Sequence, residues 1–144
     1  MTISITQQQR QQLINAAMTA RQLAYAPYSA KSVGAALMTA DGIIYTGCNI
    51  ENAALSPGLC AERVAMAKAI SAGERLFIAI AICGGPLDAP AVPEELFYPC
   101  GVCRQMLAEF CSGEMIVICA SDEQHYQQLT LAELLPYPYP PDNH

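Results

Sequence analysis

Residues 61–83 read AERVAMAKAISAGERLFIAIAIC, and this stretch decides the fold class. Residues 61–72 are predicted to form a helix, and Gly73 stands where a helix commonly stops. Residues 77–83 are a continuous apolar run, which is typical of a strand buried on both faces. A helix followed at once by a buried strand predicts a sheet with helices packed on it.

The segments before this stretch predict one helix and one hairpin. Residues 6–24 carry apolar side chains at helical spacing, and Thr6 is a possible N-cap. Two apolar segments, residues 33–38 and 43–47, flank an Asp-Gly pair. Asp-Gly between alternating apolar segments is a strong hairpin signal.

The segments after it add a loop, two helices and a strand. Residues 84–99 are rich in Pro and Gly, residues 101–111 have helical periodicity, residues 115–120 form another apolar run, and residues 130–135 suggest a short helix. The predicted order is α-β-β-α-β-α-β-α, which indicates a mixed sheet with helices packed on it. Residues 1–144 are expected to form a single domain.

The composition of the chain indicates which kinds of partner it can bind. Hydrophobic residues make up 53% of the 144 residues and charged residues only 14%, against about 25% charged in an ordinary domain. This scarcity of charge predicts that apolar surface is hidden by self-association. The net charge is −6 and the seven basic residues are scattered, so a polynucleotide partner, which needs a basic groove, is not expected.

The beginning of the chain and its cysteines indicate a compartment. MTISITQQQR lacks the apolar core of a signal peptide, and no apolar run approaches the roughly 18 residues of a membrane span. We therefore expect a cytoplasmic protein without a membrane partner. Seven cysteines is an odd number, and reducing cytosol disfavours disulfides, so metal binding or burial should account for them.

Three cysteines lie at predicted helix starts. Cys100 and Cys103 form C-x-x-C at the start of one helix, and Cys60 opens the helix before it. Helix N-termini carry partial positive charge and unpaired N–H donors, which stabilise the thiolates that bind zinc. Three protein ligands leave the fourth position for water, which is the mark of a catalytic zinc.

The two residues that follow Ala61 can take part in a reaction at this site. Glu62 can face the open position and move protons without being a ligand. Arg63 can bond a thiolate sulfur and restore Lewis acidity that three negative ligands would weaken. Together they explain how a water is activated and how its proton moves.

A redox pair and a structural zinc site are the alternatives. A redox pair would leave Cys60 and Glu62 without a role, and a structural site needs a fourth ligand. The remaining thiols are Cys48, Cys83, Cys111 and Cys119. The last three are read as core residues and burial is favoured for Cys48. His125, in a polar loop, and the last residue, His144, have no ligand-like context.

Cys-Ala-Glu followed by Pro-Cys-x-x-Cys resembles the zinc nucleobase-deaminase signature. The segments YAPYSAKSVGAAL, GCNIENAALSPGLCAER, PCGVCRQMLAEF and LAELLP are similar, in this order, to blocks of the small homotetrameric cytidine deaminases of the three-cysteine type. The resemblance implies a three-layer α/β/α sandwich around a mixed five-stranded sheet, with active sites completed by neighbouring subunits. Only four strands are clear, and the fifth is expected near YPC or after Ala120.

The resemblance also implies the roles of the metal site. Cys60, Cys100 and Cys103 would hold one Zn²⁺ per subunit, and Arg63 would tune the thiolates. Glu62 would carry a proton from water to the ring nitrogen and then to the departing amine.

Four further positions match contacts to the substrate. Asn49 and Glu51 match the pair that hydrogen-bonds the ribose 3′-hydroxyl. The N–H of Ala61 and the carbonyl of Tyr98 match backbone contacts to the edge of the pyrimidine.

Three substrate-facing positions depart from the pattern. Lys31 replaces an aromatic residue that stacks on the base, Leu55 replaces a tyrosine near the 5′-hydroxyl, and Tyr139 is the nearest counterpart of a phenylalanine. The expected activity is zinc-dependent hydrolytic deamination of cytidine or 2′-deoxycytidine, as in pyrimidine salvage. The alternative is another aminopyrimidine or nucleoside, with an acidic group read by Lys31. A non-catalytic zinc-containing binding protein is the third reading.

Overall fold

Four α-helices and five strands follow one another along residues 2–140, the part of the chain that the computed structural model describes. The helices are α1 (Gln7–Ala20), α2 (Ala61–Ser71), α3 (Gly101–Phe110) and α4 (Leu131–Leu134). The strands are β1 (Lys31–Thr39), β2 (Ile44–Cys48), β3 (Phe77–Pro86), β4 (Ile116–Ala120) and β5 (Tyr126–Thr130). The predicted helices and the hairpin are confirmed, and β3 runs three residues past the predicted apolar segment.

The strands form one mixed sheet in the order β2-β1-β3-β4-β5. Only β3 and β4 are parallel, and all other neighbours are antiparallel. The fifth strand lies after Ala120, one of the two places that the sequence suggested. It reads YQQLT and lies at the edge of the sheet with its first three residues exposed, so it lacks the apolar pattern that identifies a buried strand.

Helices cover both faces of the sheet, which confirms the predicted three-layer α/β/α arrangement. On one face α1 places Leu13, Ile14 and Ala17 in a cluster with Ala36 and Ala79. The opposite face carries α2, α3 and α4. Their members of the second core cluster are Ala61, Ala65, Met66, Ala69, Leu107, Ala108 and Leu131. Because β3 and β4 are covered on both sides, their residues are apolar without alternation.

Local signals in the sequence determine where the helices begin and end. The Thr6 hydroxyl accepts the Gln9 N–H at 3.0 Å, and Gln9 Oε1 accepts the Thr6 N–H at 2.9 Å. This capping box satisfies two donors that α1 cannot bond internally. Gly73 has a φ of +97°, which glycine adopts at low cost, so α2 ends where the sequence predicted.

The burial of the remaining cysteines largely follows the sequence analysis. Cys83, Cys111 and Cys119 are buried in the core, as predicted, whereas Cys48 is half-buried. Burial raises the pKa of both Cys111 and Cys119 to about 12, so these thiols remain protonated at neutral pH. His144 lies outside the described residues. Within residues 2–140, no helix combines the length and the apolar character needed to cross a membrane.

Candidate active site

The N-termini of α2 and α3 bring three thiols together. Cys60 is the N-cap of α2, Cys100 is the N-cap of α3, and Cys103 lies in the first turn of α3. Cys100 Sγ is 3.8 Å from Cys60 Sγ and 3.6 Å from Cys103 Sγ. All three sulfurs lie within 4.8 Å of one another, and residues 2–140 contain no other group of three potential ligands of this kind.

Hydrogen bonds in the adjoining segments hold the two helix starts in place. The backbones of Ile50 and Leu59 exchange two hydrogen bonds of 2.9 Å, which closes the loop that leads into Cys60. Arg104 donates from Nε to the Pro99 carbonyl at 2.7 Å and from Nη1 to the Leu134 carbonyl at 2.7 Å. Neither N-cap cysteine makes a capping hydrogen bond with its side chain, so both sulfurs are oriented toward each other instead.

The electrostatics of this cluster favour a thiolate at Cys60. The Cys103 thiol hydrogen-bonded to it, and also Arg63 and Cys100, lower the pKa of Cys60 to about 5. The same contact to Cys60 raises the pKa of Cys103. Arg63 Nη2 lies 3.8 Å from Cys60 Sγ and 3.2 Å from the Gly58 carbonyl. Its guanidinium is therefore placed where it can offset negative charge on the Cys60 sulfur.

Glu62 is the buried carboxyl of the site. Its residue is only 4% exposed in the first turn of α2. Burial, with a smaller contribution from the charge on Cys60, raises the pKa of Glu62 to about 7. A carboxyl with a pKa near neutrality can both accept and donate a proton, which is what general acid–base chemistry requires.

Part of this cluster lines a cavity that has a volume of about 680 Å³. Cys60, Glu62 and Cys100 contribute to its wall. The size lies within the range of small-molecule sites, roughly 300–1,000 Å³. The cavity is therefore large enough for a small molecule and has the Cys60 and Cys100 thiols and the Glu62 carboxyl on its surface.

Asn49 and Glu51 also line this cavity, and both have partners within the chain. Asn49 accepts the Val33 N–H at 2.8 Å and donates to the Lys31 carbonyl at 2.9 Å. Glu51 accepts the N–H groups of Tyr28 and Ser29 at 3.0 Å and the Ser29 hydroxyl. A carboxylate has about four acceptor positions and an amide nitrogen two donors, so both side chains retain capacity for a ligand.

Of the remaining predicted substrate-binding residues, some line the cavity and others do not. Ala61 and Tyr98 line the cavity, and Ala61 is the first residue of α2, where N–H groups lack helical partners. Leu55 also lines the cavity and is 92% exposed. Lys31 and Tyr139 are not among the lining residues. The Tyr139 backbone is instead held by the Gln105 side chain, with a hydrogen bond of 2.6 Å to the Tyr139 carbonyl.

Sequence reasoning missed part of the cavity wall. Val33 and Ile82 contribute from β1 and β3, and Phe97 contributes from the loop before Cys100. Val33 and Ile82 could be recognised only as members of strands. Phe97 lies in a stretch predicted as an irregular loop, where no periodicity reports the direction of a side chain.

The arrangement matches a known family of enzymes. The family model described as "Cytidine and deoxycytidylate deaminase zinc-binding region" matches residues 7–119 of the chain. The chain belongs to this family.

Relatives in this deaminase family are similar to the chain over most of its length. A protein from Sporosarcina psychrophila named "Cytidine deaminase" is 46% identical over 129 residues, which cover 88% of this chain and 88% of the relative. Another of that name from Halalkalibacterium halodurans is 44% identical over 127 residues, covering 88% and 91% respectively. A cytidine deaminase structure from Burkholderia pseudomallei has a TM-score of 0.77 at 40% identity, with 89% and 97% covered.

The three cysteines fit the zinc ion that the deaminase family binds. Zinc is held by thiolates in tetrahedral sites, and the sulfurs here already lie within 4.8 Å of one another. Arg63 Nε is buried and has no hydrogen-bond partner in the described residues, so this donor has capacity for an additional acceptor. Zn²⁺ is accordingly the cofactor, with Cys60, Cys100 and Cys103 as the residues suited to hold it.

Proposed function

We propose that this chain deaminates a free pyrimidine nucleoside, cytidine or 2′-deoxycytidine, to the corresponding uridine and ammonia. The observation that carries the proposal is a cluster of three thiols, two of which line a cavity together with the buried carboxyl of Glu62. The family has a zinc-dependent hydrolytic activity, and the relatives at 44–46% identity carry the name cytidine deaminase. We also propose that residues 1–144 form one catalytic domain.

Cys60, Cys100 and Cys103 are proposed to hold the ion. When bound, Zn²⁺ supplies Lewis acidity that makes water nucleophilic near neutral pH. Arg63, with Nη2 3.8 Å from Cys60 Sγ, lowers the negative charge that three thiolates would place on the site.

Glu62 is proposed as the catalytic acid and base. It accepts a proton from the water that adds to the ring carbon carrying the amino group. It delivers this proton to the ring nitrogen, takes a second proton from the hydroxyl group that has been added to the ring, and gives it to the amine. Ammonia then leaves and a carbonyl group remains on the ring. Its burial supports this role, because a carboxyl whose pKa is raised to about 7 exists in both protonation states at neutral pH.

The rim of the cavity is proposed to bind the sugar and the edge of the base. Asn49 and Glu51 would share their remaining hydrogen-bonding positions with the 3′-hydroxyl of the ribose. The Ala61 N–H and the Tyr98 carbonyl would bond the polar edge of the pyrimidine. Both backbone positions lie on the cavity wall, where they can select between donors and acceptors on the ring.

Self-association is proposed to complete the site. Leu55 borders the cavity and is 92% exposed, and a large apolar side chain gains about 1.5–3 kcal/mol when it is buried. A homotetramer that shares its active sites would cover this residue. Lys31 and Tyr139, which do not line the cavity of their own chain, are proposed to contribute at the rim of such a shared site.

Location and pathway complete the proposal. A cytoplasmic enzyme with reduced thiols would serve pyrimidine salvage. The net charge of −6 supports a small-molecule substrate rather than a polynucleotide.

The test measures ammonia release and zinc content together. Parent protein and Glu62→Gln are compared on cytidine, 2′-deoxycytidine, cytosine and a cytidine derivative that carries a carboxylate. We expect the parent to be fastest on the two nucleosides and Glu62→Gln to bind zinc but lose at least a hundredfold in kcat. Glu109→Gln, the same substitution at an exposed position of α3, is the matched control and should keep parental activity.

Two results would refute the proposal. Equal ammonia release by the parent and by zinc-loaded Glu62→Gln would remove Glu62 from the mechanism. A rate on the carboxylate derivative far above that on cytidine would assign the enzyme to the alternative substrate class.

A further inference from the structure

Phe97 forms an apolar wall of the cavity that contains Glu62. It is half-buried and packs against the core cluster between the sheet and the helices α2 and α3. Val33 and Ile82, which also line the cavity, belong to the same face of the sheet. The ring is therefore part of a hydrophobic surface beside the catalytic carboxyl.

Gly84 makes room for this ring. A Cβ atom at position 84 would lie 2.4 Å from Cδ2 and 2.5 Å from Cγ of Phe97, which is far closer than carbon atoms can approach. Gly84 pairs with Val33 across β3 and β1. The absence of a side chain at this one strand position lets the ring lie directly on the sheet.

Lys31 contacts the same ring from the neighbouring strand. Its Nζ lies 5.7 Å from the centre of the Phe97 ring, within the range of a cation–π interaction. Lys31 and Val33 are two residues apart on β1 and therefore point to the same face. Lys31 thus contacts Phe97 without being one of the residues that line the cavity.

The other rings at the cavity are less suited to hold a flat base. Tyr28 and Tyr98 are both exposed. The Tyr98 hydroxyl donates to Gln127 Oε1 at 2.5 Å, so the side chain reaches toward β5. Phe97 alone among these three is half-buried and entirely apolar, and contact between two aromatic rings is favourable beyond the area that it buries.

We propose that Phe97 is the residue against which the pyrimidine ring of the substrate stacks, and that Lys31 is a positioning residue that holds the Phe97 ring. This assignment rests on the proposed function. It moves the aromatic contact from the position of Lys31 to a residue of the loop before Cys100, whose ring lies on the same face of the sheet in the space that Gly84 leaves open. With this role, the presence of Lys31 does not require a substrate that carries an acidic group.

The test uses two inhibitors that differ in the flatness of the ring. Uridine has a planar aromatic base, whereas 5,6-dihydrouridine has the same sugar and carbonyl groups on a puckered ring. We expect Phe97→Leu to raise the KM for cytidine roughly three- to tenfold, the effect of losing one aromatic pair. It should also reduce the preference for uridine over dihydrouridine by a similar factor, with zinc content unchanged.

Matched variants separate stacking from a general effect on folding. Phe110→Leu removes a ring that packs against the same core cluster but does not line the cavity, and it should keep the parental preference between the two inhibitors. Phe97→Met, with an unbranched apolar side chain, is the second variant if Phe97→Leu unfolds. Lys31→Met should reduce the preference in the same direction but by less.

The outcomes also distinguish this assignment from the proposed function. If the parent releases no ammonia from cytidine, the proposed function fails. If the parent is active and both Phe97 variants keep the parental ratio of inhibition constants, stacking on Phe97 is refuted while the function stands. An unchanged ratio in Lys31→Met would refute the positioning role alone.

Discussion

The sulfur atoms of Cys60 and Cys100 lie 3.8 Å apart although 40 positions separate the two residues in the chain. Each is the N-cap of a helix on the same side of the sheet. The chain therefore assembles the ligands from two helix starts, where partial positive charge favours thiolates.

This arrangement predicts which thiols become reactive when zinc is removed. After treatment with a chelator, Cys60 and Cys100 should be alkylated by iodoacetamide, because Cys60 is half-buried and Cys100 exposed. Zinc-loaded protein should be protected at both positions. Peptide mass spectrometry identifies the labelled residues.

Other cysteines of the same chain serve as internal controls. Cys83, Cys111 and Cys119 are buried and should stay unlabelled with or without zinc, whereas half-buried Cys48 should react in both states. Equal labelling of Cys60 and Cys100 before and after chelation would show that they do not bind the ion.

Gly84→Ala is predicted to destabilise the protein and to impair substrate binding. The new Cβ would overlap the Phe97 ring, so the ring or the strand must move. Such overpacking typically costs about 1–3 kcal/mol in the free energy of unfolding. Denaturant unfolding measures the loss, and the KM for cytidine should rise because the cavity wall is displaced.

Gly101→Ala is the matched control for this substitution. A Cβ at position 101 has no atom within 4 Å, and alanine favours a helix relative to glycine by about 1 kcal/mol. Its stability should be equal to or above that of the parent. A Gly84→Ala protein as stable as Gly101→Ala would mean that the Phe97 ring does not rest on the sheet.

The metal site was predictable from the sequence because its signal is local. Cys60 and the C-x-x-C pair stand next to recognisable helix starts, so the sequence indicated that the three sulfurs could converge. Glu62 and Arg63 adjoin Cys60 and were found with it. In the structure Glu62 is buried and Arg63 lies close to the Cys60 sulfur.

The fifth strand and the aromatic wall of the cavity could not be placed from the sequence, because the signals that determine them are not local. β5 is a polar edge strand whose pairing with β4 is not encoded in its own residues. Phe97 is positioned by Gly84 and Lys31, which lie 13 and 66 positions away in the chain and become neighbours only through the pairing of β1 with β3. Contacts of this kind are tertiary, and no periodicity of a single segment reports them.

Ser29→Ala is predicted to raise the pKa of Glu51. Hydrogen bonds from the Ser29 hydroxyl and the Ser29 N–H, together with the Tyr28 N–H, hold the pKa of this carboxyl below its usual range. Removing the hydroxyl removes the largest of these contributions. An NMR titration of the Glu51 side-chain carboxyl carbon should show the shift, and Ser71→Ala, at the exposed end of α2, should show none.

The same contact determines the sign of the pH dependence. A carboxyl with a lowered pKa in the folded state stabilises the fold above its unfolded pKa of about 4.3, and this contribution disappears as the pH falls through the folded pKa. The stability difference between the parent and Ser29→Ala should therefore be present at neutral pH and vanish in acid. A difference that grows in acid would contradict this assignment.

Leu55→Glu is predicted to disrupt the proposed assembly. The side chain is 92% exposed in a single chain, and a charge at a buried apolar contact between subunits would leave an unpaired carboxylate there. Light scattering should detect a smaller particle than the parental oligomer. Deaminase activity should fall with it, because Leu55 borders the cavity.

Ser56→Glu places the same charge on the adjacent exposed residue, which does not line the cavity. It separates the loss of the apolar contact from a general effect of negative charge on this loop. We expect Ser56→Glu to keep more of the parental mass and activity than Leu55→Glu. If Leu55→Glu retains both in full, then Leu55 faces solvent in the assembled protein and the shared site must be completed elsewhere.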